Sequence, residues 1–241
     1  MRNIWEKSYS LRAGDFDKYD RIKPSSVLDL FQDAAGQHAE EIGVGFESMI
    51  SRSLLWVLIK VKYRVFSQPH RYQNVKVVTW PLEPNRIIYR REFRVQDENN
   101  NILIIGSSEW VVINSKERRL VSAPDLYSFA GGFHSEHMFD DNLGRVRSFE
   151  ATETPYTVNA GFCELDVNGH VNNTKYANYV LDAVSPSENE IIDCLQIDYH
   201  KEVLQGTQLN IFHSKTNNTV MAKGENQDGD LMFSCKIDFK K

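Results

Sequence analysis

The feature that most constrains this chain is a repeat. Tyr9-Ser-Leu-Arg-Ala-Gly-Asp-Phe-Asp, leading to Leu30-Phe-Gln-Asp-Ala, returns as Tyr156-Thr-Val-Asn-Ala-Gly-Phe-Cys-Glu, leading to Tyr179-Val-Leu-Asp-Ala. Tyr9 to Asp33 spans 24 residues and Tyr156 to Asp182 spans 26. Each copy opens as an alternating strand, crosses a polar loop and enters an amphipathic helix. In the first helix Val27, Leu30, Phe31, Ala34 and His38 fall on one stripe, and in the second Tyr176, Tyr179, Val180, Ala183 and Val184 do the same. Ser25 or Ser26 is the expected cap of the first helix.

Four strands are expected after each helix, at about 52–67, 73–83, 86–97 and 101–114, then at about 190–203, 207–215, 219–226 and 230–239. Asp97-Glu-Asn-Asn-Asn, Asn217-Asn218 and Asp228-Gly229 supply turns. Connections this short require antiparallel pairing. One strand, one helix and four strands, twice over, predict an α+β architecture. Each antiparallel sheet curls around its own central helix, a tandem hot-dog fold, and pairing the two sheets removes exposed edges. The expected domains are 1–121 and 149–241. Residues 122–148, richer in Pro, Gly, His and Asp, read as a linker.

Length and composition allow a sizeable core at 241 residues with 41% hydrophobic and 25% charged side chains. The net charge of −5 argues against a general nucleic-acid binder. Charge is uneven. Residues 52–119 carry 13 Lys and Arg against 6 Asp and Glu, whereas residues 141–241 carry 9 against 15. The basic stretch reads either as the solvated face of a sheet or as a docking surface for an acidic partner. Cys163, Cys194 and Cys235 are few, odd in number and not at zinc spacing, which fits free thiols in a reducing compartment. The N-terminus lacks the apolar core of a secretory signal, and runs such as Leu54–Ile59 are too short to span a bilayer. A cytoplasmic location and no membrane partner are expected.

The string Leu165-Asp166-Val167-Asn168-Gly169-His170-Val171-Asn172-Asn173-Thr174 carries the chemistry. Alternation by two sends the carboxylate, the amide and the imidazole to one side of an extended segment ahead of the second helix. The string also reads as an Asn/Gly-rich turn capped by Asn173 or Thr174.

Several segments in order resemble the acyl-acyl-carrier-protein thioesterases of plant plastids and their bacterial relatives. Ser53-Leu-Leu-Trp56-Val, Val78-Thr79-Trp80-Pro81 with Arg90-Arg91-Glu-Phe, and Ser108-Glu-Trp110-Val with Arg118-Arg119-Leu are similar to family segments. Asp166 to Tyr176 is nearly the family's catalytic signature, and Asp198-Tyr199-His-Lys-Glu202 resembles its Glu-Tyr-Arg-Arg-Glu strand. The resemblance covers residues 5–240. It implies hydrolysis of fatty acyl-acyl carrier protein, ending fatty acid synthesis, with Asp166, Asn168, His170 and Glu202 as the catalytic residues. Two departures are read: Val203 occupies the place of a Cys in the plant enzymes, and a plastid transit peptide is not expected. The first copy, with Asp15, Asp17, Asp20 and Arg21 in its loop, reads as the degenerate one.

The residues favour direct attack by activated water, since no Gly-x-Ser-x-Gly elbow and no metal-ligand cluster is visible. No cofactor or metal is expected. Asp166 or Glu202 is the base, or Asp166 is structural. His170 holds the water or protonates the leaving thiol, and Asn168 orients the nucleophile or binds the carbonyl. Backbone N–H groups near Thr174 are candidate oxyanion donors. The resemblance places the acyl tunnel in the first hot-dog. Phe31, Trp56, Leu58 and Trp80 are therefore candidate acyl contacts with Asn173 as a further substrate-binding candidate, although each of the four also reads as plain core. An acidic acyl carrier protein gives the basic stretch a partner. An acyl-CoA thioesterase and a non-catalytic acyl-binding protein are the alternatives. Two hot-dogs in one chain suit a monomer or a homodimer.

Overall fold

The computed structural model describes residues 2–123, 125–139, 143–151 and 154–240. Residues 124 and 140–142 of the expected linker, and 152 and 153 of the expected second domain, lie outside the described residues. The chain divides into two compact units. One comprises residues 1–22 and 27–143, the other residues 23–26 and 144–241.

The first unit runs β1 (Trp5–Ser10), α1 (Pro24–Glu41), α2 (Phe46–Ser51), β2 (Leu54–Val65), β3 (Asn74–Pro81), β4 (Tyr89–Gln96), β5 (Ile102–Asn114) and β6 (Leu120–Val121). Its sheet has the order β1-β3-β4-β5-β2, with β6 beside β5, and the pairings are antiparallel. The second runs β7 (Tyr156–Asn159), α3 (Lys175–Val184), β8 (Ile192–Tyr199), β9 (Gln208–Thr216), β10 (Thr219–Glu225) and β11 (Leu231–Phe239), with sheet order β8-β11-β10-β9-β7. Each unit is a hot-dog.

Phe31 shows how α1 seats on its sheet. Its ring stacks on Phe93 of β4 at 4.3 Å and meets Tyr63 of β2 edge-on at 6.5 Å. On β5 it presses onto Gly106, where an added Cβ would lie 2.1 Å from the ring. Only glycine leaves that notch. In the second unit Tyr176 of α3 takes this place, edge-on to Phe233 of β11 at 5.1 Å and to Tyr199 of β8 at 5.3 Å.

Three local expectations change. Helix α1 begins at Pro24, so Ser25 and Ser26 lie inside its first turn, both buried, rather than capping it. Proline suits this position, where its missing N–H had no helical partner. Helix α2 lies in a stretch not read as helical. The segment after β6 is not a free linker. Tyr127 and Phe129 are buried with Tyr89, Val112 and Met49. Farther on, Trp80 Nε1 donates to Glu136 O (2.8 Å), Met138 N–H to buried Glu92 (3.1 Å) and Arg90 Nη2 to Phe139 O (3.1 Å). In the second unit Val146 N–H donates to the buried Asp198 carboxylate at 2.8 Å.

Candidate active site

The Asp166–His170 string forms a tight loop rather than an extended segment. A bridge between Leu165 and Val171 closes it. Asp166 N–H donates to His170 O at 2.8 Å and Gly169 N–H to Asp166 O at 3.0 Å. Gly169 has φ +78°, a left-handed value that glycine adopts without strain. The Asp166 carboxylate folds back on the loop, where Oδ1 accepts Asn168 N–H at 2.8 Å and His170 N–H at 3.4 Å. This Asx turn aims Oδ1 at backbone, while Oδ2 accepts from the side-chain amide of the exposed Asn168 at 3.5 Å.

The loop carries His170 to Glu202. Val171 N–H donates to Val203 O at 2.8 Å, and His170 bridges Leu204. These backbone ties bring His170 Nε2 to 3.3 Å from Glu202 Oε2, with the two side chains 24% and 36% exposed. Water reaches the pair, while the partial shielding strengthens their interaction relative to bulk water. Val203 is itself buried, with its carbonyl on Val171 N–H. Cys194 is also buried, five positions before Tyr199 on β8 and so roughly 17 Å along the strand.

Ahead of α3, Asn172 accepts Thr174 N–H on Oδ1 (3.0 Å) and Lys175 N–H on its carbonyl (2.9 Å). Those two N–H groups are therefore occupied, and the expected oxyanion donors near Thr174 are reduced accordingly. Asn173 contributes its carbonyl, which accepts the Tyr199 hydroxyl at 2.9 Å.

Backbone hydrogen bonds put the two copies in register. Leu11 N–H donates to Gln73 O and Tyr72 N–H to Leu11 O, just as Ala160 N–H donates to Thr207 O and Gly206 N–H to Ala160 O. Leu11 thus matches Ala160, two residues away from the pairing of Tyr9 with Tyr156 that the letters suggest. Asp17 matches Asp166, and Arg21 stands where His170 does. Phe66 and Ser67 both donate to Leu103 O, as His200 and Lys201 both donate to Met232 O, so Gln68 matches Glu202. The first copy keeps the loop and carries Arg21 and Gln68 in place of the imidazole and the carboxylate.

The candidate acyl contacts separate. Thr79 Oγ1 lies 3.3 Å from Arg91, which bonds His38 of α1, so Thr79 faces the helix. Trp80, the next residue, faces the other side, packed with Val78, Leu82, Ile4 and Met138. Phe31 is a fully packed core ring. Trp56 lies on the helix face, edge-on to Tyr89 at 5.0 Å with Nε1 on Val44 O, beside Ile42, Met49, Tyr127 and Phe129.

The basic stretch is partly neutralised. Lys60 pairs with Glu109 (3.3 Å), Arg90 with Glu92 (2.6 Å) and Arg94 with Glu136 (3.2 Å), while Arg91 is buried. Arg86, Lys116, Arg118 and Arg119 are exposed in the β3–β4 and β5–β6 connections. Both connections lie at one end of the sheet, since Tyr89 pairs with Trp110 and Val112 with Val121. Among the described residues no cluster suits a metal ion, and no helix is long and apolar enough to cross a membrane.

Comparison with known proteins agrees with the fold of two hot-dog units. The acyl-ACP thioesterase N-terminal domain matches residues 2–128 and the C-terminal domain residues 147–241. A chloroplastic palmitoyl-acyl carrier protein thioesterase of Cuphea hookeriana is 27% identical over 215 residues, 83% of this chain and 52% of that protein. A chloroplastic dodecanoyl-[acyl-carrier-protein] hydrolase of Umbellularia californica is 26% identical over 222 residues, 86% of this chain and 58% of that protein. The chain thus spans about half the length of the curated relatives it matches. In fold it is similar to an acyl-ACP thioesterase from Bacteroides thetaiotaomicron (TM-score 0.90, 21% identity, 99% of this chain and 98% of that one). It is also similar to the 12:0-ACP thioesterase from Umbellularia californica (TM-score 0.87, 22% identity, 100% and 98%). With both family domains matched in order along a chain of two hot-dogs, this protein belongs to the acyl-ACP thioesterase family.

Proposed function

We propose that the chain hydrolyses fatty acyl thioesters of acyl carrier protein, using water activated at His170 and Glu202. The observation that carries this reading is the 3.3 Å approach of His170 Nε2 to Glu202 Oε2, in the copy whose counterpart holds Arg21 and Gln68. Glu202 takes the proton of the attacking water, directly or through His170. The water oxygen bonds to the thioester carbon, and the carbonyl oxygen becomes an oxyanion. The exposed Asn168 amide gives one N–H to Asp166 Oδ2 at 3.5 Å and keeps a second to bind it, whereas Thr174 and Lys175 N–H are occupied. Losing a donor of this kind costs about 10²–10³ in rate. The carbon–sulfur bond then breaks, the thiolate takes the proton back, and free fatty acid leaves. Asp166 is the residue that shapes the loop, because its Oδ1 is spent on two backbone N–H groups.

The acyl chain is assigned to the aromatic-walled interior of the first unit around Trp56, with Phe31 and Trp80 as its structural frame. Arg86, Lys116, Arg118 and Arg119 are the surface proposed to meet the acidic carrier protein. Thiol release from acyl-carrier-protein and acyl-CoA esters of C8 to C18, with the wild type and His170→Ala, tests the reading. Turnover that prefers carrier esters and collapses in the variant supports it. Preference for CoA esters moves the function to an acyl-CoA thioesterase, and saturable binding without turnover makes the protein a binder.

A further inference from the structure

The second unit has a pair of packed tyrosines, Tyr176 and Tyr199, at positions where the first unit has valines. Tyr199 ends β8, three residues before Glu202, and is half-buried. Its hydroxyl donates to the carbonyl of Asn173 at 2.9 Å, at the end of the loop that carries Asn168 and His170. Tyr176, on the first turn of α3, packs its ring edge-on against Tyr199 with an interplanar angle of 89°. The strand tyrosine thus holds the histidine loop, and the helix tyrosine braces the ring of the strand tyrosine. By the register that matches Asp17 to Asp166 and Gln68 to Glu202, the first copy has Val27 for Tyr176 and Val65 for Tyr199, both buried. The carbonyl that Tyr199 holds has its counterpart on Pro24. The copy without the imidazole and the carboxylate therefore lacks this tie while keeping the loop.

We propose that Tyr199, braced by Tyr176, is a positioning residue that sets the His170–Glu202 distance by anchoring the histidine loop to the strand that delivers Glu202. A valine at either place fills the core as well, as the first unit shows, so filling space does not by itself require the hydroxyls. Geometry at a reacting pair does, because a displacement of about 1 Å costs as much as 10²-fold in rate. The inference rests on the proposed hydrolysis, and its test separates the two.

The experiment compares Tyr199→Phe with wild type, since the change removes the hydroxyl and leaves the ring. We expect kcat for the best acyl ester to fall about tenfold or more with KM within about twofold and a melting temperature within a few degrees. In a Glu202→Gln background the same change is expected to add no further loss, because the pair it aligns is already gone. The imidazole ¹⁵N resonances of His170 give a readout that needs no turnover, and they are expected to move in Tyr199→Phe in the same direction as in Glu202→Gln. Unchanged kcat, an equal loss in both backgrounds, or unmoved His170 resonances overturns the proposal. If the wild type hydrolyses none of the esters, the functional reading fails, and the resonances alone decide whether Tyr199 positions His170.

Discussion

Asp17 and Asp166 hold the same turn in the two copies with the same atoms. Each Oδ1 accepts the backbone N–H two residues on at 2.8 Å, and each backbone N–H donates to the carbonyl four residues on at 2.8 Å. The carboxylate of this motif is thus explained by the fold alone, since the first copy keeps it beside an arginine. What distinguishes the second copy is the imidazole and the glutamate.

That equivalence predicts the effect of Asp166→Asn. The amide oxygen still accepts both N–H groups, so the loop persists. The expected loss in kcat is tenfold or less, against the roughly 10²–10⁴ expected for removing a general base. Steady-state thiol release measures it, and a loss beyond 10³ would return the role of base to Asp166.

Asp17→Ala is the control in the other copy. It removes acceptors for Tyr19 N–H, Arg21 N–H and Arg21 Nε, at 2.8, 3.0 and 2.9 Å. A stability loss of about 1–3 kcal/mol is expected, with kcat per folded molecule unchanged. Denaturant melts and activity assays on the same samples check both halves of the statement.

His38 makes stability depend on pH. An arginine only donates, so Nδ1 accepts from Arg91 Nη1 at 3.0 Å and Nε2–H donates to Arg2 O at 3.0 Å. The ring is neutral, and burial followed by the Arg91 charge depresses its pKa to about 4. The unfolded chain binds this proton near pH 6.5, so the stabilisation is complete above that value and is lost as pH falls to about 4. The linked change is on the order of 3 kcal/mol. Unfolding free energies between pH 7 and 4 should show this slope, flattened in His38→Gln. An unchanged slope in the variant contradicts the assignment.

Charge reversal at Arg118 and Arg119 tests the proposed carrier surface. The double change to Glu is expected to raise KM for carrier-protein esters several-fold, more at low salt than at high, with little effect on kcat. A KM that does not respond contradicts docking at this end of the sheet.

The sequence shows most of the architecture, because helix stripes and strand alternation repeat in both halves and antiparallel strands need only short turns. The turns at Asn217-Asn218 and Asp228-Gly229 stand where their chemistry places them, with Asn217 and Gly229 at positive φ. The candidate site string is legible because Asp, Asn and His fall in one short stretch. Its conformation is not, since alternation describes a strand and the Asp166 carboxylate instead closes a turn on its own backbone. Letter identity also aligns the copies two residues out of register at Tyr9 and Tyr156, where only strand pairing reveals the match. The segment after β6 shows no period at all. It is fixed by single backbone donors on buried carboxylates, Met138 on Glu92 and Val146 on Asp198, whose partners lie 46 and 52 residues away. Trp80 is ambiguous for a related reason, because an aromatic residue on a strand does not by itself say which face is covered.

The most direct test of the central claim is kcat for thiol release by Glu202→Gln, with the melting temperature measured on the same preparation. The account predicts a loss of at least about 10² with an unchanged melting temperature, as expected when a general base becomes the amide that the first copy carries as Gln68. Activity within about threefold of wild type would contradict it and remove Glu202 from the reaction.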